Sequence, residues 1–446
     1  NNAFSQLIEL PVDNPNLLKL YVINNGMYRL TKSDFVSAGI NTATIDPRTI
    51  RLINKGIELP VHFEGESDGT FDDTDFMDFF GERNYGGVLT YYNGLFDVKY
   101  TKDQYLNYYT DTNIYWVTWG GVHGLRYKTS PLGSSSEYEF PYHYDNVHFE
   151  FDNLYSLGEN LSNTDYRYFI NDLLQGEGWF WKKFLFNNTL THSYTFPDII
   201  QDTAVPVYMN IWAYPGNQTH SITNEHAFAF LVNGTPVDTV YSNNLDIMDD
   251  TISFNSSLLL SGGNDFFFRY RPSVNFTSGF MYFDYFEIRY PRNFRFNSNG
   301  LSFVTQSQPN DTASKIFRIS GYNGTNEINI YDVKNGYRIN NISQSGDTLI
   351  FVGKGNGKFE VINKEISQKP MRMKQRTLPD LQTSSNGADY LLIYNKKMTL
   401  PAEQLRLHRE TFDGYRSVKT EVEDIYDVFN YGLEDPAALR SFIQTV

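Results

Sequence analysis

Cysteine is absent from all 446 residues, which excludes a disulfide framework, a thiolate metal site and a thiol nucleophile within this chain. Large domains need no such staples, so the absence fixes no cellular compartment. Long apolar runs are missing too: none approaches the ~18 residues of a membrane-spanning helix, and the opening NNAFSQLIEL has no basic stretch before an apolar core. The chain reads as soluble, without a membrane span, and already processed. Positive charge is in short supply, because 37 Lys+Arg against 52 Asp+Glu leave a net −15. A field of that sign repels nucleic acid and anionic lipid, so neither is an expected partner.

What is present is apolar and aromatic: 40% of the chain is hydrophobic and 16% of the chain is Phe, Trp or Tyr, enough surface to offset the ordering of a globular chain. The length corresponds to about three domains or more. Short apolar or alternating runs at residues 17–23, 49–53, 88–92 and 114–118 are separated by Gly, Pro, Asn and Asp, the pattern of a β domain over 1–139. One short helix is expected there, capped by Thr31 or Ser33 and stopping before Gly39. Residues 140–292 carry a strand, the turn NGTP and a second strand at 227–241. Phe266, Phe268 and Tyr270 share one strand face, and Phe286, Ile288 and Tyr290 share another. Alternation of this kind with almost no helical period predicts a two-sheet jelly roll.

Residues 293–368 hold four short strands punctuated by YNGTN, KNGY, SGD and GKGNG, which fits a small immunoglobulin-like sandwich. The polar, partly basic stretch 369–387 is the best linker candidate. Beyond it, over 388–446, the grammar changes. An apolar strand at 390–394, a helix over 400–412 with Pro401 in its first turn, a strand at 417–422 and a helix over 436–446 make β-α-β-α, the start of a parallel sheet. Two strands and two helices cannot cover both faces of such a sheet, so its edges would stay open to further chain.

Three sets of residues, and the absence of any other architecture between them, make the chain resemble the gingipain-like family of secreted cysteine peptidases, which includes the sortase of type IX secretion. GMYRLTKSDFVSAGI (26–40) and IDPRTIRL (45–52) are followed by DGTFDDTDFMDFFG (68–81) and NIYWVTWGG (113–121) in family order. HAFAFLVNGT (226–235) and YFDYFEIRYPR (282–292) are similar to the jelly roll of these proteins. ADYLLIY (388–394) and VEDIYDVFNYGLEDPAALRSFI (422–443) look like the opening of the caspase-like α/β peptidase domain, and no other architecture intervenes. The resemblance implies a mainly β chain made of a β domain, a jelly roll, a small immunoglobulin-like sandwich and the first part of that peptidase domain. It also implies that the His-Gly pair and the Cys of the catalytic dyad lie beyond these residues.

Candidate sites are few. Glu64, Glu66, Asp68, Gly69, Asp72 and Asp75 fall at positions 1, 3, 5, 6, 9 and 12 of an EF-hand-like loop, with the Thr70 carbonyl at position 7, a set of hard oxygen ligands suited to Ca²⁺. Glu at position 1 and Asp at position 12 depart from the usual loop, and a solvated acidic turn is the plainer reading. Trp179 and Trp181 offer either an aromatic platform for a sugar or ordinary sheet packing. His123-Gly124 mimics the family dyad in a place with no cysteine to serve, so a turn is expected. Asp284 and Glu287 alternate onto opposite faces and make poor glycosidase partners. Asp-Thr followed by a small or aliphatic residue marks Thr203, Thr239, Thr251, Thr312 and Thr348, which resemble O-glycosylation acceptors of exported Bacteroidota proteins. Asn-x-Ser/Thr sequons such as Asn187, Asn217 and Asn323 report surface polarity.

Two functions are consistent with these readings. One is the non-catalytic N-terminal part of an exported gingipain-like cysteine peptidase, scaffolding or covering the rest of its own peptidase domain at the bacterial surface. The other is a cell-surface β-sandwich protein that holds a glycan or a protein partner.

Overall fold

A strand with one apolar face must bury it against a second layer, and the chain does this in three successive β units before its terminal α/β segment. The computed structural model describes residues 7–86, 90–91, 99–100, 105–107, 109–133, 138–156, 178–214, 224–243, 246–271, 279–298, 300–305, 311–325, 327–365, 367–382 and 387–445. Of the expected 88–92 strand only Thr90–Tyr91 is described, and Asn217 lies outside the described residues.

In the first unit a five-stranded sheet runs in the order Arg372–Arg376, Leu17–Val22, Asn113–Thr118, Arg51–Asn54, Ile57–Leu59. It faces a three-stranded sheet of Gly26–Thr31, Phe76–Gly81 and His62–Glu64. Leu18, Leu20, Leu52 and Val117 from one layer meet Tyr28, Leu30, Met77 and Phe79 from the other. The expected helix is Lys32–Ser37. Its start is fixed where the Thr31 N–H donates to the Asp34 carboxylate at 2.7 Å, and Phe35 anchors it in the core.

The jelly roll pairs His143–Glu150, Phe280–Arg292, Ala204–Tyr214 and Asp246–Asn255 in one sheet, and Thr189–Thr195, Gly263–Tyr270, His226–Val232 and Thr235–Ser242 in the other. The predicted hairpin turns at Asn233 and Gly234 with φ of 50° and 81°, the two left-handed residues of a turn whose twist matches its strands. Phe266, Phe268 and Tyr270 are fully buried from one sheet; Phe286 and Ile288 answer from the other. Aromatic rings set edge-on or offset fill the space between.

The third unit packs a five-stranded sheet against Ser314–Ile319, Thr348–Lys354 and Ile342–Ser345, around Phe303, Phe317, Phe351 and Phe359. One edge of its larger sheet is Lys128–Thr129, parallel to Tyr337 and Arg338, so a strand from the first stretch of sequence completes it.

Two sequence expectations need correction. The 369–387 stretch is not simply a linker, because Arg372–Arg376 forms an edge strand antiparallel to Leu17–Tyr21. Its polar composition reflects an edge whose charges pair with a helix lying across the sheet. The terminal segment has Tyr390–Tyr394 parallel to Ser417–Glu421 as expected, but among the described residues three α-helices rather than two: Thr399–His408 (running on as a π turn over Arg409–Asp413), Val422–Phe429 and Pro436–Thr445. The middle one, VEDIYDVF, is rich in β-branched and aromatic residues with modest helix propensity, and tertiary packing rather than propensity makes it helical.

Phe268 is fully buried with ring centroids 4.8 Å from both Phe283 and Phe286. Phe268→Ala is expected to lower unfolding free energy by about 3–5 kcal/mol, measured by urea denaturation; a loss under ~1 kcal/mol would mean the sheets close up over the vacancy.

Candidate functional site

The strand Leu17–Val22, LLKLYV, is buried at all six positions. Its alternation sends Leu18, Leu20 and Val22 into the first core and Leu17, Lys19 and Tyr21 to the opposite face. A lysine 2% exposed in an apolar strand needs a fixed anion. Asp427, fully buried on the Val422–Phe429 helix, supplies it and accepts from the Lys19 ammonium. Arg376, on the adjacent strand, donates through Nε to the second Asp427 oxygen at 2.8 Å and through Nη2 to Asp424 at 2.6 Å. Lys374 donates to Glu423 at 2.8 Å, and the Tyr21 hydroxyl donates to the same carboxylate at 3.0 Å. Three cations from two neighbouring strands thus meet three carboxylates from one helix.

In this latch, the residues around Lys19 and Asp427 close that pair to water. The Trp116 indole N–H donates to the Tyr431 carbonyl at 2.8 Å, fixing the loop that leaves the helix. Gly432, at φ +89°, lets that loop lie against the sheet: a Cβ there would sit 2.9 Å from both Lys19 Cε and Ile114 Cγ2. On its other side the helix packs Ile425 with Ala438 and Phe442 of the last helix. Burial pushes the Glu423 carboxyl up, yet Lys374, Lys19 and Arg376 outweigh it and hold it at about 2. Asp427 is pushed above the usual carboxylate range by burial, against the pull of Lys19 and Arg376, which makes those two cations indispensable to its charged form.

The arrangement holds surfaces together, each of its cations being committed to a carboxylate. Sequence reasoning passed over all six charged residues. The available signals were a lysine interrupting LLKLYV and carboxylates at i, i+1 and i+4 in VEDIYDVF, one helical face.

The acidic loop does not converge on a point. Glu66 is gripped by Arg126 at 2.7–3.1 Å, and Arg126 also donates to the Pro47 and Ile50 carbonyls. Glu64 faces His62 at 3.1 Å. Asp68 accepts from the Thr70 N–H at 2.9 Å, and Asp75 from the Asp72 N–H at 2.8 Å. Among the described residues no three His, Asp or Glu side chains are grouped to hold a metal ion. Trp181 lies in the jelly-roll core against Phe151 and Phe286, whereas Trp179 is 42% exposed and pairs with Tyr155 at 4.9 Å, so the two do not share a platform. His123 is exposed, and the Gly124 N–H donates to the Arg48 carbonyl. A bulge between Met209 and Ile211 breaks the alternation near Asp284, and Glu287 instead meets His148. Thr251 and Thr312 are exposed, while Thr203, Thr239 and Thr348 are half-buried.

Residues 383–446 match the model of peptidase family C25. PorU of Porphyromonas gingivalis, solved as a dimeric latent form, shares the fold: TM-score 0.65 at 15% identity, over 97% of this chain and 39% of that one. A CBM36 carbohydrate-binding module in complex with calcium and xylotriose aligns at TM-score 0.20 and 12% identity, over 32% of this chain and 98% of the module. The CBM36-1 domain of a xylanase from the hindgut metagenome of Trinervitermes trinervoides aligns at 0.20 and 13%, over 32% and 96%. Alignments that weak carry no argument. No curated protein sequence matches the chain. The chain is thus mainly β with an α/β segment at 387–445, inside the stretch that matches family C25, and it is similar to the N-terminal region of gingipain-type proteins. It spans 39% of the length of the PorU chain.

Lys19→Met leaves Asp427 with Arg376 alone, and is expected to cost about 3–5 kcal/mol in thermal or urea unfolding; an unchanged midpoint would show the latch to be idle. Because the Glu423 pKa is lowered on folding, its contribution is present above pH 4.5 and is lost as pH falls toward about 2. Glu423→Gln should therefore lose stability relative to the parent at neutral pH, with the difference shrinking across that acid range.

Proposed function

We propose that the chain is the non-catalytic N-terminal portion of an exported gingipain-like cysteine peptidase, and that its task is to seat the opening of the peptidase fold on a β scaffold. The observation that carries this reading is the latch: a helix within the C25-matching segment is fixed by Lys19, Lys374 and Arg376 of the first sheet. The partner in this reading is the remainder of its own peptidase domain. Supporting it, Tyr390–Tyr394 and Ser417–Glu421 pair with each other alone among the described strands, and both are largely half-buried. Leu400 is 69% exposed and Phe412 79% exposed on the elements beside them, apolar surface of the kind that further chain covers. Exposure of Thr251 and Thr312 is compatible with export, and no helix among the described residues is long and apolar enough to cross a membrane.

A second reading, a cell-surface protein holding a glycan, is favoured by one observation, the exposed Tyr155–Trp179 pair. Peptide substrates incubated with the chain should show no hydrolysis above background, since it has no cysteine. In a longer protein that includes the peptidase nucleophile, replacing Lys374 and Arg376 by Ala should cut the yield of active enzyme several-fold. Undiminished yield would remove the scaffold role, and hydrolysis by the chain itself would remove the assignment of the nucleophile elsewhere.

A further inference from the structure

The jelly roll meets the first β unit at a second buried charge, on the strand His143–Glu150. The His148 side chain is 3% exposed. Its Nδ1 lies 2.8 Å from Glu287 Oε1 and its Nε2 lies 2.8 Å from Glu150 Oε2. Carboxylates only accept, and a neutral imidazole has one N–H, so both contacts form together only when the ring carries both protons. Tyr105, from the first unit, lies flat on this ring with centroids 3.6 Å apart and planes within 7°. Tyr285 contacts it at 4.9 Å.

The other groups facing the cluster can be named from each element. Arg83 of the first unit stacks over Tyr105 at 4.8 Å, and Tyr85 lies 6.0 Å from that ring. On the strand of Glu287, Arg289 lies over Tyr144 at 5.2 Å, and across the sheet Glu287 is in register with Tyr208. Burial by itself disfavours the imidazolium; the hydrogen bonds its ring N–H groups donate to Glu150 and Glu287 outweigh it, and the His148 pKa is raised above 6.5. A flat cation against the face of an aromatic ring is attracted by its quadrupole, and the attraction grows where water is excluded.

We propose that His148 is a pH-sensitive clasp between the jelly roll and the first β unit: as an imidazolium it bridges Glu150 and Glu287 and seats Tyr105, and on losing its proton it lets that ring go. Loss of the proton breaks one of the two hydrogen bonds and sets a nitrogen lone pair against a carboxylate. With the folded pKa above the unfolded value, the clasp contributes fully below pH 6.5 and is lost as pH rises through the raised value. His143, at the other end of the strand, works in the opposite sense at a different junction. It is buried against Phe294 and Phe303 at 5.1 and 5.6 Å, faces Asp145 and Arg292, and is lowered to about 4, chiefly by burial. Titration above about pH 6 therefore separates His148 from His143.

The test uses the full 446-residue chain. Histidine-selective ¹⁵N NMR follows the His148 ring nitrogens, and hydrogen exchange, corrected for its intrinsic pH dependence, follows the segment around Tyr105. Expected are two protonated nitrogens at pH 6, loss of a proton above pH 6.5, and exchange around Tyr105 rising about tenfold over the same titration. In Glu287→Gln the midpoint moves down by about 1 pH unit, and in His148→Gln the step in exchange disappears. A His148 midpoint at or below 6.5 in the unsubstituted chain, which needs no variant to fold, overturns the proposal. So does an exchange step that persists in His148→Gln.

Discussion

The buried charge of Asp427 is the constraint on which the join between β scaffold and terminal α/β segment depends. A carboxylate without exposure is tolerable only if cations meet it, and those cations come from strands separated from it by 408 and 51 residues of sequence. Satisfying Asp427 therefore fixes three segments at once: the first strand, the Arg372–Arg376 edge and the Val422–Phe429 helix. Arg376 serves where a lysine would not, because its planar fork reaches Asp424 and Asp427 together. The position of the C25-matching segment follows from this local chemistry, not from a tether of fixed length.

The β units themselves are held differently. With no disulfide available, each relies on interlocked aromatic rings: Phe266, Phe268, Phe283 and Phe286 in the jelly roll, and Phe303, Phe317, Phe351 and Phe359 in the third unit. Apolar packing of this kind is non-directional and tolerates many sequences. Charge pairs are directional, and two sets of them join units: Lys19 and Arg376 on Asp427, and Lys358 on Glu82. The cores give stability, while the ionic contacts give relative placement.

Period-two alternation made the β architecture readable: the NGTP hairpin, the Phe266–Tyr270 face and the parallel pair at 390–394 and 417–421 all follow from local pattern. The Val422–Phe429 helix and the Arg372–Arg376 strand were not readable, because each is defined by what it packs against. The candidate site was hidden for the same reason. A lysine in LLKLYV signals a buried cation, but nothing in the local sequence tells which of 52 acidic residues answers it. The EF-hand-like spacing did not show the partners its carboxylates have here: Arg126, distant in sequence, takes Glu66, and turn amides take Asp68 and Asp75.

The central claim is that Lys19 and Asp427 act as one unit. A double-mutant cycle with Lys19→Met, Asp427→Asn and both together, read by urea unfolding, measures that coupling free of the individual costs. The account predicts an interaction of about 2–3 kcal/mol, with the double variant recovering much of what either single variant loses. Losses that simply add, to within about 0.5 kcal/mol, would contradict it.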